Sequence, residues 1–283
     1  MLVQRVGFEA HIQDEGRFGY AHLGVPRAGA ADLNSYRLGA RLVGNRPGSA
    51  AIEYLLGDLE VQVDSPTTLA VTGASGVVRI DGRAVARNVA HYVPAGALIS
   101  ISPAEYGMRG YLSGRGGIDV PPVLGSRSLD TLAGLGPAPL RRGDRVPIGS
   151  AVEGCPSYAD AVADDIRDGA VEVGYLPGPR EDCFTTGAVE LLRTATWRVS
   201  ADVDRVGARL TGPRLEHAGE VQIPSEAMHL GSIQVPPSGQ PIVFLANYPS
   251  TGGYPVIGVV AARDIPKLAQ ARPGSTVRFS RLP

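Results

Sequence analysis

Glycine and proline are so frequent in this chain that the backbone has to turn often. Of its 283 residues, 37 are glycine and 23 are proline, while 43% are hydrophobic. Glycine permits positive φ and close approach of the backbone, whereas proline fixes φ and removes a hydrogen-bond donor. Together they make up about a fifth of the chain, below the roughly 25–30% typical of disordered sequences. We therefore expect a folded protein of short elements joined by tight turns.

The two densest Gly/Pro clusters lie more than 200 residues apart. The first, within residues 13–32, contains Gln-Asp-Glu-Gly-Arg and Gly-Val-Pro-Arg-Ala-Gly-Ala-Ala-Asp. The second, within residues 234–255, contains Gln-Val-Pro-Pro-Ser-Gly-Gln-Pro and Thr-Gly-Gly-Tyr-Pro. Rigid loops of this kind often carry binding residues, although turns alone require the same residue types. Each cluster taken alone is therefore compatible with a binding site or with a simple turn.

Short β-type runs dominate the rest of the pattern. Asp81-Gly82 separates two such runs and is suited to a type I′ hairpin turn. A helix is predicted from Asp32 to Val43, with Asp32 as N-cap, and a short one from Asp264 to Ala271. Strands are predicted at 67–72, 77–80, 83–85, 98–101, 110–113, 171–178, 242–246, 256–260 and 276–279. The pattern predicts a mainly β fold with a few helices.

We expect two halves, residues 1–150 and 151–283. The pattern loosens between about Pro147 and Ala170, where an acidic run extends from Asp160 to Asp168. The first half carries the Gln-Asp-x-Gly-Arg and Gly-Val-Pro motifs, and the second carries Gln-Val-Pro-Pro and Thr-Gly-Gly-Tyr-Pro.

Composition argues against several kinds of partner. A net charge of −1 gives no electrostatic case for nucleic acid or an acidic membrane. No apolar stretch approaches the roughly 18 residues that cross a bilayer, and the N-terminus lacks a secretory pattern. We therefore expect a cytoplasmic protein. Neither the two cysteines nor the five histidines have metal-binding spacing, so no metal site is predicted.

A single lysine, Lys267, restricts the available chemistry. Its surroundings do not match a P-loop, a biotin-attachment site or a Ser-Ser-Lys amidase centre. The chain also lacks a Gly-x-Ser-x-Gly nucleophile elbow and a plausible Cys/His pair.

Four charged residues are candidates for catalysis. Asp14 and Arg17 lie within one turn, where they are able to pair and present donors to a ligand or simply to stabilise the turn. Asp32 is either a helix cap or a carboxylate offered to substrate. Glu53 lies among apolar residues, so it must be paired or have a raised pKa. It is a candidate general base, or a partner for an arginine such as Arg17.

Polar residues near these motifs are candidates for binding substrate. His22 is either a structural hydrogen-bonding group or a ligand contact. The loop at Ser126 and Arg127 has the composition of an anion site, and Arg205 is suited to a carboxylate or phosphate. Neutral groups suited to a small amide surround the second Gly/Pro cluster: Gln234, Gln240, Thr251 and Tyr254.

The ordered motifs resemble the allophanate hydrolase subunit 2 family, whose members are also described as 5-oxoprolinase subunits or biotin-dependent carboxyltransferase proteins. The resemblance covers nearly the whole chain. Besides the two Gly/Pro clusters, it includes Leu-Val-Gly-Asn at 42–45 with Glu53, Gly-Gly-Ile-Asp at 116–119, Leu-Gly-Ser-Arg-Ser at 124–128 and Asp-Arg-x-Gly at 204–207. It adds Asn45 to the candidate substrate-binding residues.

This resemblance implies two cyclophilin-like β-barrel halves and a role beside a partner chain. Stand-alone bacterial members resemble one subunit of an ATP-dependent 5-oxoprolinase, working with a subunit 1 partner as a heterodimer or heterotetramer. Fused relatives form the carboxyltransferase part of urea carboxylase, which implies biotin carried on another chain. A third use is non-enzymatic regulatory binding.

The resemblance favours a hydrolase acting on the C–N bond of a small amide or lactam, with 5-oxoproline the leading substrate. ATP with Mg²⁺ would be used through the complex. Arginines would neutralise phosphate or carboxylate charge, while Asp14, Asp32 and Glu53 would handle a metal-bound nucleotide or a proton. One segment departs from the family pattern: Asn247-Tyr248-Pro249 stands where Asp-Arg-Gln is usual.

Overall fold

The computed structural model describes residues 1–158, 166, 169–219 and 222–283. All acidic residues of the run from Asp160 to Asp168, near the predicted boundary, lie outside the described residues. The first ten strands are β1 Leu2–Val6, β2 Ala10–Gln13, β3 Ala51–Leu55, β4 Leu59–Gln62, β5 Thr67–Gly73, β6 Val78–Ile80, β7 Arg83–Val85, β8 Ala90–Val93, β9 Leu98–Ile101 and β10 Arg109–Gly114. Nine follow: β11 Val171–Pro177, β12 Trp197–Val199, β13 Gly207–Thr211, β14 Glu226–Ala227, β15 Ser232–Gln234, β16 Ile242–Phe244, β17 Thr251–Gly252, β18 Val256–Val260 and β19 Thr276–Arg281. The α-helices are α1 Leu33–Leu42, α2 Thr186–Thr194 and α3 Ile265–Ala269, with 3-10 turns at Ala21–Leu23, Glu181–Cys183 and Ala262–Asp264.

The chain divides into two compact units. The N-terminal unit comprises Met1–Arg17, Ala28–Asp130 and Gly134–Asp168, and the C-terminal unit comprises Phe18–Arg27, Thr131–Ala133 and Gly169–Pro283. Two short segments that precede residue 150 in the sequence thus belong to the C-terminal unit.

The N-terminal unit contains two five-stranded sheets around one apolar core. Their strand orders are β1-β4-β9-β6-β7 and β2-β3-β10-β5-β8, and every neighbouring pair is antiparallel. Alternate strand residues from both sheets share the core, including Val61 and Ile99 from the first and Ile52 and Leu112 from the second. Burying these side chains stabilises the pair of sheets by roughly 1.5–3 kcal/mol each.

Helix α1 packs against β5 and β10 of the second sheet. The Asp32 side chain accepts hydrogen bonds from the backbone N–H groups of Asn34 and Ser35, so the predicted N-cap is confirmed. Close approach depends on Gly39, where a Cβ would lie 2.5 Å from the Ser113 Oγ. The packing of α1 against the sheet therefore fixes the position of Asp32 at the N-terminus of the helix.

The C-terminal unit contains a closed seven-stranded barrel in the order β11-β18-β15-β16-β13-β12-β19. Strands β11 and β19 pair in parallel, and the other neighbours are antiparallel. The core includes the fully buried Trp197, and α2 and α3 contribute the buried side chains of Leu192 and Leu268 to it.

The prediction of a mainly β chain with a few helices is confirmed, with three α-helices in the described residues. Where a barrel was predicted in each half, the N-terminal unit instead contains two separate sheets. The cyclophilin-like character of the units stays a prediction. No helix within the described residues is long and apolar enough to cross a membrane.

Candidate functional site

Asp14 joins two loops of the N-terminal unit. Its Oδ1 accepts hydrogen bonds from the Gly16 N–H at 2.8 Å and from the Ser126 and Ser128 hydroxyls, each at 2.6 Å. Its Oδ2 accepts from the backbone N–H of Arg127 at 2.6 Å. The carboxylate is 6% exposed and fully engaged by protein donors. Asp14 and Ser126, predicted catalytic and substrate-binding respectively, are therefore brought together as a structural cluster, and their roles in a reaction stay predictions.

Arg17 is buried beneath the same loops. Its Nη2 donates to the Ser128 carbonyl at 2.5 Å, and its Nη1 lies 4.0 Å from the Asp130 carboxylate. Burial lowers the pKa of Arg17 from its ordinary value, although the charges of Asp130 and Asp14 oppose this shift. The partner within ion-pair distance is Asp130, not the predicted Asp14, because Asp14 directs its oxygens at the neutral donors of its loops. Sequence spacing gave no sign of Asp130.

Glu53 is also buried and paired. Its Oε2 accepts from the Ala31 N–H at 2.9 Å and from the Tyr111 hydroxyl at 2.8 Å, and its Oε1 lies 3.6 Å from Nε of Arg109. The arginine partner is therefore Arg109, which lies on β10 beside β3, rather than Arg17. The pKa of Tyr111 is raised well above its ordinary value. Burial is the largest cause, and the charges of the Glu53 and Asp32 carboxylates add to it.

Tyr111 connects Glu53 to the start of α1. Its hydroxyl donates to Glu53 and accepts from the Asp32 N–H at 2.8 Å. The Asp32 carboxylate in turn accepts from the Ser35 hydroxyl at 2.6 Å as well as from the helix N-terminus. Asn45, at the other end of α1, donates to the Gly114 carbonyl and accepts from the Gly116 N–H. The predicted residues Asp32, Glu53 and Asn45 thus lie on internal networks that fix α1 to β10, and their roles in a reaction stay predictions.

Residues from both Gly/Pro clusters converge on one cleft in the C-terminal unit. The cleft has a volume of ≈ 400 Å³. Its lining comes from three chain segments: Ala21, His22, Gly24 and Pro26; Leu132 and Ala133; and Pro249, Ser250 and Thr251. Two predicted residues more than 200 positions apart, His22 and Thr251, therefore lie in the same cleft, and both are exposed.

The first wall of this cleft is a compact turn. The 3-10 helix Ala21–Leu23 ends at Gly24, whose φ of 75° is in the left-handed region that glycine adopts without strain. The Arg27 guanidinium lies 4.2 Å from the centroid of the Phe18 ring, which closes the base of the turn. His22 is thereby presented at the tip of a short, internally bonded loop.

A second wall is continuous with the two-stranded ribbon of β14 and β17, because Thr251 is the first residue of β17. The Met228 N–H donates to the Ser250 carbonyl at 3.0 Å, which fixes the segment before Thr251. The Ser250 hydroxyl is buried, and no group in the described chain is within hydrogen-bonding distance of it. Because this oxygen is screened from solvent while the cleft is open, it faces the interior of the wall rather than the cleft.

The segment that departs from the family pattern borders the cleft, which Pro249 helps to line. Asn247 is fully buried; its side chain accepts from Arg205 Nε at 3.3 Å and donates to the Thr131 hydroxyl at 3.2 Å. Thr131 directly precedes Leu132 in the cleft wall. Arg205, predicted to hold an anion, is 5% exposed and bonded to Asn247.

The remaining predicted residues lie outside this cleft lining. The Gln234 amide donates to the Tyr254 carbonyl at 3.2 Å, so these two are joined to each other. The Gln240 amide exchanges two hydrogen bonds with the backbone of Gly212. Arg127 extends its side chain within the N-terminal unit, where it donates to Asp119 at 2.9 Å.

Sequence reasoning missed Leu132, Ala133 and Ser250 as cleft residues. Ser250 immediately precedes the Thr-Gly-Gly-Tyr-Pro motif, which was a usable signal. Leu132 and Ala133 carry no recognisable motif. Within the described residues, no group of three or more His, Cys, Asp or Glu side chains is arranged to hold a metal ion.

Comparison with known proteins identifies the family. A family model described as "Carboxyltransferase domain, subdomain A and B" matches residues 23–281. The chain is 34% identical to a 5-oxoprolinase subunit of Escherichia coli, over 99% of this chain and 90% of that protein. It is 30% identical to urea amidolyase of Saccharomyces cerevisiae, over 96% of this chain and 16% of that protein.

A solved structure shows the same fold. The crystal structure of the urea carboxylase of Kluyveromyces lactis is similar with a TM-score of 0.93 and 29% identity, covering 99% of this chain and 27% of that one. The chain is thus similar both to a separate enzyme subunit and to a part of larger enzymes. Because the family model spans most of its length, this protein belongs to the carboxyltransferase domain family of subdomains A and B.

Proposed function

We propose that this chain is one subunit of a heteromeric, ATP-dependent enzyme that hydrolyses a small amide or lactam, with 5-oxoproline converted to glutamate as the leading reaction. The observation that carries the proposal is the end-to-end similarity to the 5-oxoprolinase subunit of Escherichia coli, which covers 90% of that relative. The urea amidolyase match leaves most of that relative uncovered. The proposed partner is subunit 1 of the same system.

The cleft of the C-terminal unit is our proposed site for the lactam. Its walls combine the apolar side chains of Pro26 and Leu132 with the polar side chains of His22 and Thr251. A lactam ring offers one N–H, one carbonyl and several methylene groups, which require this mixture of polar and apolar contacts. His22 and Thr251 are both exposed, so they are accessible to a ligand in the cleft.

The acidic residues expected to handle a metal-bound nucleotide fit that task poorly. Asp14, Asp32 and Glu53 direct their carboxylate oxygens at backbone N–H groups, hydroxyls or an arginine of the chain itself. Coordinating a cation would require breaking several of these buried bonds. We therefore propose that the three carboxylates hold the loops and helix α1 in place, and that the partner chains contribute the nucleotide site.

The test is phosphate release by the co-expressed chain, subunit 1 partner and lactam-opening subunit, measured with and without 5-oxoproline. We expect release that requires all three chains and 5-oxoproline. The Thr251→Val variant should raise the KM for 5-oxoproline about fivefold or more, since a net hydrogen bond contributes about 1 kcal/mol. The matched control is Thr276→Val, which makes the same change on β19 outside the cleft. Absence of any 5-oxoproline-dependent release refutes the oxoprolinase proposal.

The second candidate function is carboxyl transfer from biotin carried on another chain. It is favoured by the family description and by the similarity to urea amidolyase. If the first assay fails, urea-dependent discharge of a carboxylated biotin carrier in the presence of this chain would support transfer. If both assays fail while the subunit 1 partner still binds, a regulatory binding role is favoured.

A further inference from the structure

A second cleft lies entirely within residues of the N-terminal unit. It has a volume of ≈ 290 Å³, and its lining includes Arg46, Ser49, Gly116, Gly117, Arg127 and Gly149. We propose that this cleft binds a small oxyanion, the group shared by phosphates and carboxylates. The inference does not depend on the proposed enzymatic function.

Part of the cleft lining is main chain, where two glycine-containing loops cross. The Gly149 N–H donates to the Gly117 carbonyl at 2.8 Å, and the Ala151 N–H donates to the Gly116 carbonyl at 3.1 Å. Gly116 has a φ of 100°, and a Cβ there would lie 1.9 Å from the Gly149 carbonyl oxygen. Only glycine fits this crossing of two loops. The lining therefore carries no side chain at residues 116, 117 and 149, where a small ligand is able to lie against the backbone.

The first positive group is a fixed guanidinium. Arg127 Nε donates to the Val120 carbonyl at 2.8 Å, and Nη2 donates to Asp119 at 2.9 Å. These two bonds orient the guanidinium plane and leave Nη1 without a hydrogen-bond partner in the described chain. The Arg127 side chain is 35% exposed, so this remaining edge is accessible. A guanidinium held in this way is already arranged for an oxygen anion.

The second positive group is Arg46, on the loop after α1. Its backbone is anchored to the cleft by the bond from its N–H to the Ala151 carbonyl at 3.1 Å. Its exposed guanidinium has neither a hydrogen bond nor an ion pair with any described residue. Two arginines and one carboxylate, Asp119, therefore give the lining a net positive charge. Asp119 accepts the bond that orients Arg127 and offsets part of its charge, whereas Arg46 has no such carboxylate partner among the described residues.

The experiment is an isothermal titration of the full-length chain with inorganic phosphate and, separately, with acetate at matched ionic strength. We expect saturable binding of at least one of the two anions. Binding of phosphate alone identifies a phosphoryl ligand, and binding of acetate alone identifies a carboxylate. Binding of neither overturns the proposal.

Three variants locate the binding. Arg46→Gln and Arg127→Gln should each weaken the affinity about tenfold, the effect of losing one charge-assisted hydrogen bond. Arg46→Gln is the decisive variant, because it removes no contact that the described fold uses. The matched control, Arg141→Gln, makes the same charge change at an exposed arginine outside the cleft and should leave the affinity within about twofold. An equal loss in Arg46→Gln and Arg141→Gln would show non-specific attraction and refute the site.

Discussion

The replacement Asp14→Asn tests whether the buried carboxylate is a structural centre of the N-terminal unit. The substitution keeps the shape of the side chain but turns one accepting oxygen into an NH₂ group. Oδ1 accepts three hydrogen bonds and Oδ2 accepts one, from the Arg127 N–H. The least costly arrangement therefore places the new amide nitrogen at the Oδ2 position, facing that N–H.

The expected cost follows from these contacts. Losing the charge-assisted bond to the Arg127 N–H removes about 1.5–3 kcal/mol, and leaving that N–H unpaired adds about 1–3 kcal/mol. The buried Arg17 also loses a nearby negative charge. We expect the free energy of unfolding to fall by about 3–5 kcal/mol, which lies within the sum of these two terms.

The assay is urea unfolding followed by circular dichroism. For a slope of about 2 kcal/mol per molar urea, this loss lowers the midpoint by about 1.5–2.5 M. Fluorescence of Trp197, the one tryptophan of the chain, reports on the barrel core of the C-terminal unit and provides an internal reference.

The matched control is Glu15→Gln, one residue along the same loop with the same change of charge. Glu15 pairs with Arg37 at 2.7 Å in a partly exposed setting, so its loss should cost about 0–1 kcal/mol. If Asp14→Asn destabilises the protein no more than Glu15→Gln, the four bonds contribute little and the structural interpretation is wrong.

Three further perturbations have defined outcomes. Burial raises the pKa of Asp264, but hydrogen bonds from Lys267 and Gly174 outweigh burial and leave the pKa lowered. Asp264 therefore contributes stability above its unfolded pKa of about 4, and this contribution is lost as the pH falls. Lys267→Gln should reduce that loss of stability in acid, as measured by urea midpoints between about pH 3 and 7. Burial raises the pKa of tyrosines such as Tyr111, so their stabilising contribution is present below the unfolded pKa of about 10 and is lost as the pH rises beyond it. Absorbance at alkaline pH should show that these phenols ionise together with unfolding. Ionisation in the folded protein would contradict this expectation. Gly116→Ala should lower the free energy of urea unfolding by more than about 3 kcal/mol, because the added Cβ overlaps the Gly149 carbonyl. Gly82→Ala is also at positive φ but in open space, and it should lower that free energy by about 1–2 kcal/mol. Equal losses in the two variants would refute the steric argument.

Local elements were predictable because their signals are local. The turn at Asp81-Gly82 has positive φ at both residues, as the type I′ prediction requires, and β18 has the predicted bounds. Helix α1 follows Asp32 as expected because the capping carboxylate and the apolar stripe lie in one segment. Helix α2 was missed; it begins after Thr185, whose hydroxyl accepts from the Ala188 N–H, a capping signal that was present but not used.

The candidate site was less predictable because its contacts join distant segments. Asp14 accepts hydrogen bonds from Ser126 and Ser128, which are 112 and 114 positions away in the sequence. The residues around Asp14 in the sequence do not show whether its carboxylate oxygens are fully hydrogen-bonded or free to react. Arg205 illustrates the same limit: its charge suggested an anion site, but burial and the bond to Asn247 give it an internal partner. Residue type predicts what chemistry is available, whereas burial decides which groups remain accessible.

The assignment of residues 18–27 and 131–133 to the C-terminal unit has a consequence for biosynthesis. A ribosome releases both segments before any strand of the barrel has been made. The lining of the cleft that contains His22 and Thr251 is therefore complete only once residues 249–251 have emerged. No single cut in the polypeptide separates the two units intact, so a fragment starting at Gly169 would contain every barrel strand yet lack two of the three segments that line the cleft.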